Sequence, residues 1–105
     1  DTIIQHTGEA LDVLPALEGP YELVFLDADK VNYEKYFELL IDKVPSGGVI
    51  LADNVMFHGE VFLPEARMGL NGRAISAFNK RILEDDRLEK VMLTLRDGLF
   101  FIQKK

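Results

Sequence analysis

The sequence predicts an α/β fold, a mostly parallel sheet that ends in an antiparallel hairpin. Two short apolar runs, Leu23–Leu26 and Val49–Ala52, each lead into an acidic residue, Asp27 and Asp53, and a helical stretch separates them. Strand, helix and strand in that order make a right-handed crossover, which lays the strands parallel with their carboxyl ends on one edge. Near the C-terminus, Lys90–Leu95 alternates Val91, Leu93 and Leu95 against Met92 and Thr94, and Leu99–Ile102 is apolar. Asp97-Gly98 between them is a hairpin-turn signal.

In chain order, Thr2–Gln5 reads as a short strand stopping at His6-Thr7-Gly8. Gly8-Glu9-Ala10 turns into a short helix whose Ala10, Leu11, Leu14 and Leu17 fall at helical spacing. Pro15 kinks or restarts that helix, and Gly19-Pro20 is a break. Leu23–Leu26 is continuously apolar, the pattern of a strand covered on both faces. After Asp27-Ala28-Asp29-Lys30, the residues Tyr33, Tyr36, Phe37, Leu40, Ile41 and Val44 form one wide helical stripe, with Asn32 as N-cap. Pro45-Ser46-Gly47-Gly48 stops this helix and delivers the chain to the second strand. From Val55 to Asn71 no period is sustained, and a loop of that length in a compact domain is usually functional or mobile. Arg73–Leu83 reads as a helix with Ala74, Ile75, Phe78 and Ile82 on one face.

At 105 residues the chain holds at most one small domain, and 48% hydrophobic residues argue for a folded one. The net charge of −6, from 18 acidic against 12 basic residues, weakens the case for non-specific nucleic-acid or membrane-surface binding. The absence of cysteine excludes disulfides, thiolate metal sites and thiol catalysis. No apolar run approaches membrane-spanning length, so a cytoplasmic protein with no membrane partner is expected. The first residue is not Met and Ile3-Ile4 reads as a strand already under way, which suggests an excised piece: residues 1–105 are read as a single partial domain.

The common strand edge is where open α/β sheets bind ligands. Asp27, Asp53 and Asn54, far apart in sequence, would therefore meet in one pocket. Ordinary turn chemistry accounts for each of them singly. A receiver-like signalling module with Asp27 as phosphoacceptor is the alternative from another class, although it needs an acidic pair and a late lysine that are not evident. A third alternative is an inert fragment.

The motifs LDADKVNY, PSGGVILADNVMFHGEV and RDGLFFIQKK, in that order and spacing, resemble the cation-dependent O-methyltransferases that use S-adenosylmethionine, including catechol and caffeoyl-coenzyme A methyltransferases. The resemblance runs from Ile3 to the C-terminus. It implies the C-terminal half of a Rossmann-like methyltransferase fold, beginning near the third strand of a domain roughly twice as long. The family's glycine-rich cofactor turn has no counterpart in the sequence.

Residue by residue, the resemblance implies a divalent cation, Mg²⁺ first and Mn²⁺ or Ca²⁺ as alternatives, on Asp27, Asp53 and Asn54. Oxygen-only ligands suit such hard ions. It implies S-adenosylmethionine at Gly8, Glu9, Ala10, Asp27 and Ala28, with Asp27 serving both metal and cofactor. Lys30 aligns with a general base, for which a lowered pKa is required, although a solvated lysine is nearly as good a reading. Asp29 would neighbour the ligands, and Phe57 and His58 would line the acceptor pocket unless they only pack. Arg67 and Arg73 are better read as solvated, and Tyr33, Tyr36 and Phe37 as core. The acceptor would be a catechol-like or caffeoyl-CoA-like hydroxyl, with a tRNA hydroxyuridine as runner-up because NVMFHG looks like the bacterial branch. The chain alone is expected to be inactive. Its strand Tyr21–Asp27, lacking a neighbour, invites a homodimer, and Ile3-Ile4 should be displaced.

Overall fold

The computed structural model describes residues 2–105. Helix α1 (Ala10–Val13) runs directly into a 3-10 turn at Leu14–Ala16, restarted by Pro15 at its second position. Strand β1 (Leu23–Leu26) is followed by a 3-10 turn at Lys30–Asn32, α2 (Tyr33–Leu40) and another such turn at Ile41–Lys43. Then come β2 (Val49–Asp53), a loop with short 3-10 segments, α3 (Leu70–Leu83), β3 (Leu88–Leu93) and β4 (Leu99–Lys104).

The sheet order is β1-β2-β4-β3. As the crossover predicts, β1 and β2 are parallel, with Leu23 opposite Val49 and Leu26 opposite Ala52. The C-terminal ribbon is antiparallel on both sides of β4. Leu26, Ile50, Ala52, Phe100 and Ile102 alternate onto one face and share a core with Tyr33, Phe37, Ile75, Phe78 and Ile82 of the helices. Phe78 sits edge-on to Tyr33 at 5.4 Å and to Phe37 at 6.4 Å between ring centroids, a favoured aromatic geometry.

Several expectations are corrected. Thr2–Gln5 forms no strand, and Ile3 and Ile4 are exposed. Without a neighbouring strand its backbone gains nothing from leaving water, in line with the expected displacement. β1 is not covered on both faces. Leu23 and Phe25 are 64% and 62% exposed because the core-forming helices pack on the other side. Helix α3 begins at Leu70, ahead of Arg73, and β3 at Leu88, ahead of Lys90. The hairpin is wider than a two-residue turn, since the last registered pair is Leu93 with Leu99. Asn32 stands at the N-cap of α2 without making a capping bond; its side chain donates to Asp29 instead.

Candidate active site

The register that pairs Leu26 with Ala52 brings Asp27 and Asp53 to the same level at the carboxyl ends of adjacent parallel strands. A short chain of hydrogen bonds ties the two tips together. The Lys30 ammonium donates to Asp27 Oδ1 at 3.1 Å and to the Tyr33 hydroxyl at 2.9 Å. That hydroxyl donates in turn to the Asp53 carbonyl at 2.8 Å. Tyr33 is fully buried, so the first residue of α2 anchors both strand ends from beneath. Its spacing put it in the core, but its hydroxyl belongs to the site.

Burial works against a charge on Lys30, yet the bonds to Tyr33 and Asp27 outweigh it and hold the ammonium above its ordinary pKa. This direction is opposite to the lowering expected of a general base. Tyr33 is raised too, chiefly by burial.

At the tip of β2 the chain turns sharply. Asn54 adopts φ +62°, a left-handed conformation that Asn tolerates better than most residues. Its backbone N–H donates to Asp53 Oδ1 at 2.7 Å. Its side-chain amide donates to Asp97 Oδ2 at 3.1 Å, and Asp97 Oδ1 accepts from the His58 backbone N–H at 2.6 Å. Asp97 was legible only as half of a turn signal. His58 is exposed and stacks obliquely on Phe57 at 5.2 Å, while Phe57 packs against the core.

On the outer side of β1, Ala10, Asp27 and Ala28 line one cavity of about 220 Å³ with Phe25 and Tyr36. Gly8 and Glu9 immediately precede α1 in the chain and are not among the residues lining this cavity. Burial, the bond to Asp29 and the nearby charges of Asp29 and Glu9 push the Tyr36 hydroxyl up to about 12. Asp29, which accepts from Tyr36 and Asn32, is lowered first by the Tyr36 bond. It therefore braces this cavity. Arg67 and Arg73 are exposed.

Among the described residues no group of three or more His, Cys, Asp or Glu side chains is placed to hold a metal ion. The trio Asp27, Asp53 and Asn54 contains only two such residues, its third member being an amide. The donor chemistry nevertheless fits a hard divalent cation. It offers two carboxylates and an amide oxygen, and the Asn54 N–H occupies only one Asp53 oxygen.

The O-methyltransferase family matches residues 2–105. The chain belongs to that family. Within it, the chain is 44% identical over 87 residues to probable caffeoyl-CoA O-methyltransferase 1 of Dictyostelium discoideum, covering 83% of this chain and 38% of that protein. The solved O-methyltransferase from Bacillus cereus in complex with SAH superposes with a TM-score of 0.82 at 31% identity, over 95% of this chain and 49% of that one. The O-methyltransferase TomG from Streptomyces achromogenes, solved with SAM, matches with a TM-score of 0.87 at 25% identity, over 97% and 49%. The chain thus spans less than half the length of these family members and has their Rossmann-like α/β architecture. No helix among the described residues is long and apolar enough to cross a membrane.

Proposed function

We propose that this segment is the cation-holding, C-terminal portion of an S-adenosylmethionine-dependent O-methyltransferase acting on a catechol-like or caffeoyl-CoA-like hydroxyl. The observation that supports this most is the level placement of Asp27 and Asp53 at adjacent strand ends, with Asn54 one residue further on. When bound, a divalent cation lowers the pKa of the acceptor hydroxyl and fixes its direction, and the sulfonium supplies the methyl group.

Asp27, Asp53 and Asn54 would hold Mg²⁺, with Mn²⁺ or Ca²⁺ as substitutes. The cavity at Ala10, Asp27 and Ala28 would take the cofactor's adenosyl end, with Gly8 and Glu9, just ahead of Ala10 in the chain, contributing to its hold. Lys30, charged here through Tyr33 and Asp27, steers an anionic oxygen; as a general base it needs added positive charge to bring its pKa down. Phe57 and His58 flank the acceptor side. Relatives named for caffeoyl-CoA support the small-molecule acceptor over tRNA.

The 105-residue chain alone is catalytically silent in this proposal, because no glycine-rich cofactor turn is present in it. Calorimetry with S-adenosylmethionine checks that point: sub-micromolar binding by the chain would contradict it. The function itself is tested in a full-length protein carrying this segment, by transfer of labelled methyl to caffeoyl-CoA. Activity should vanish with chelator, return with Mg²⁺ and be lost in Asp53→Ala. Label entering tRNA instead would move the acceptor to the hydroxyuridine class. A homodimer through Tyr21–Asp27 is also proposed, since β1 has a ladder partner on one side only.

A further inference from the structure

We propose that Asp97 is the positioning residue that presents Asn54 to the cation, an inference that rests on the metal reading above. Asp97 follows β3 in the hairpin loop, and that loop is joined to the turn after β2. Met56 N–H donates to the Asp97 carbonyl at 2.9 Å and Val55 N–H to the Gly98 carbonyl at 3.3 Å. Gly98 is required for this approach: a Cβ there would lie 2.6 Å from Met56 Cγ and 3.0 Å from Met56 N.

The Asp97 carboxylate uses both oxygens across this junction, Oδ2 for the Asn54 amide and Oδ1 for His58 N–H. An ionised carboxylate only accepts hydrogen bonds. The NH₂ of Asn54 must therefore face Asp97, because the reversed amide would set two oxygens against each other at the observed 3.1 Å. The amide carbonyl is left pointing away from Asp97 as the group's one acceptor. Asn54, Phe57 and His58 all have positive φ, at 62°, 44° and 56°. Such conformations persist where surrounding bonds over-determine them, and one carboxylate supplies a bond at each end of this run. Asp97 thus selects which Asn54 atom faces the cation and sets where the loop beyond begins.

The test titrates the 105-residue chain with Mn²⁺, reading free ion by electron paramagnetic resonance, in wild type, Asp97→Asn, Asn54→Ala and the double variant. An amide at 97 keeps the shape but brings an NH₂ that must face either Asn54 or His58 N–H, so one bond is lost or Asn54 reverses. The outer partner of a ligand typically matters 10- to 100-fold in affinity. Asp97→Asn should therefore weaken Mn²⁺ binding about 10-fold or more in the wild-type background, and less than about 2-fold once Asn54 is already Ala.

Equal weakening in both backgrounds would reduce Asp97 to a general structural role and overturn the proposal, as would unchanged binding in Asp97→Asn. Wild type that binds no Mn²⁺ would sink the metal site and this inference together, whereas the two preceding outcomes sink only the inference. Should the variants fail to fold, exchange of the Asn54 side-chain amide protons decides it in wild type. They should exchange more slowly than those of the exposed Asn71; equal rates would contradict a held orientation.

Discussion

The two faces of one sheet differ sharply. On one, Leu26, Ile50, Ala52, Phe100 and Ile102 are sealed beneath α2 and α3. On the other, Leu23, Phe25, Val91 and Leu93 are exposed, and Leu23, Phe25, Leu51 and Leu99 line an open apolar hollow with Asp53 and Leu95 at its edge. Pairing in register makes this contrast unavoidable, because alternate residues of every strand land on the same side. The sealed face explains how half the length of its relatives has a core of its own. The open one leaves Leu23, Phe25, Val91 and Leu93 facing solvent.

Substitutions should separate the faces by size of effect. Phe78→Ala, fully buried between Tyr33 and Phe37, should cost about 3–5 kcal/mol in urea unfolding. Next comes Asp85, buried just beyond α3, where it accepts from Arg81 at 2.8 Å and from Arg87 Nη2 at 2.7 Å. Asp85→Ala should cost about 1–3 kcal/mol by leaving those donors unmatched.

The Arg87 bonds, more than Arg81, hold the Asp85 carboxyl well below its usual range despite burial. Its folded pKa lies below the unfolded value, so its stabilisation is complete above about pH 4 and disappears as pH falls through the folded pKa. Asp85→Asn should flatten that acid limb of the stability curve.

Tyr33→Phe removes one hydroxyl under the site and should cost about 1 kcal/mol. It should also lower the pKa of Lys30, because Tyr33 is one of the two partners that raise it; nitrogen NMR of Nζ reads this. On the open face, Phe25→Ser should change monomer stability by less than about 0.5 kcal/mol. The same change should shift self-association, with wild type dimeric and Phe25→Ser largely monomeric by light scattering. A monomeric wild type would contradict the proposed dimer.

Two short apolar runs on either side of a helical stripe made the crossover and α2 legible in the sequence, and the alternation of Lys90–Leu95 made the hairpin legible, since burial imposes such patterns directly. The crossover topology alone brought Asp27, Asp53 and Asn54 to one strand edge, and the resemblance then assigned them a cation. What escaped was any role that depends on long-range contact. Tyr33 scored as core because its ring is core, while its hydroxyl reaches Asp53, 20 residues on. Asp97 scored as turn, although its carboxylate reaches back 43 residues to Asn54. Thr2–Gln5 failed as a strand because propensity is local and a ladder needs a neighbour.

The claim that oxygens from separate strand ends gather on one cation has a direct test. Mn²⁺ added at a small fraction of the chain concentration should erase the backbone NMR signals of Asp27, Asp53 and Asn54 together, leaving those of Asp85 and Asp86 intact. Equal loss at both places, or loss at Asp27 without Asp53 and Asn54, would contradict it.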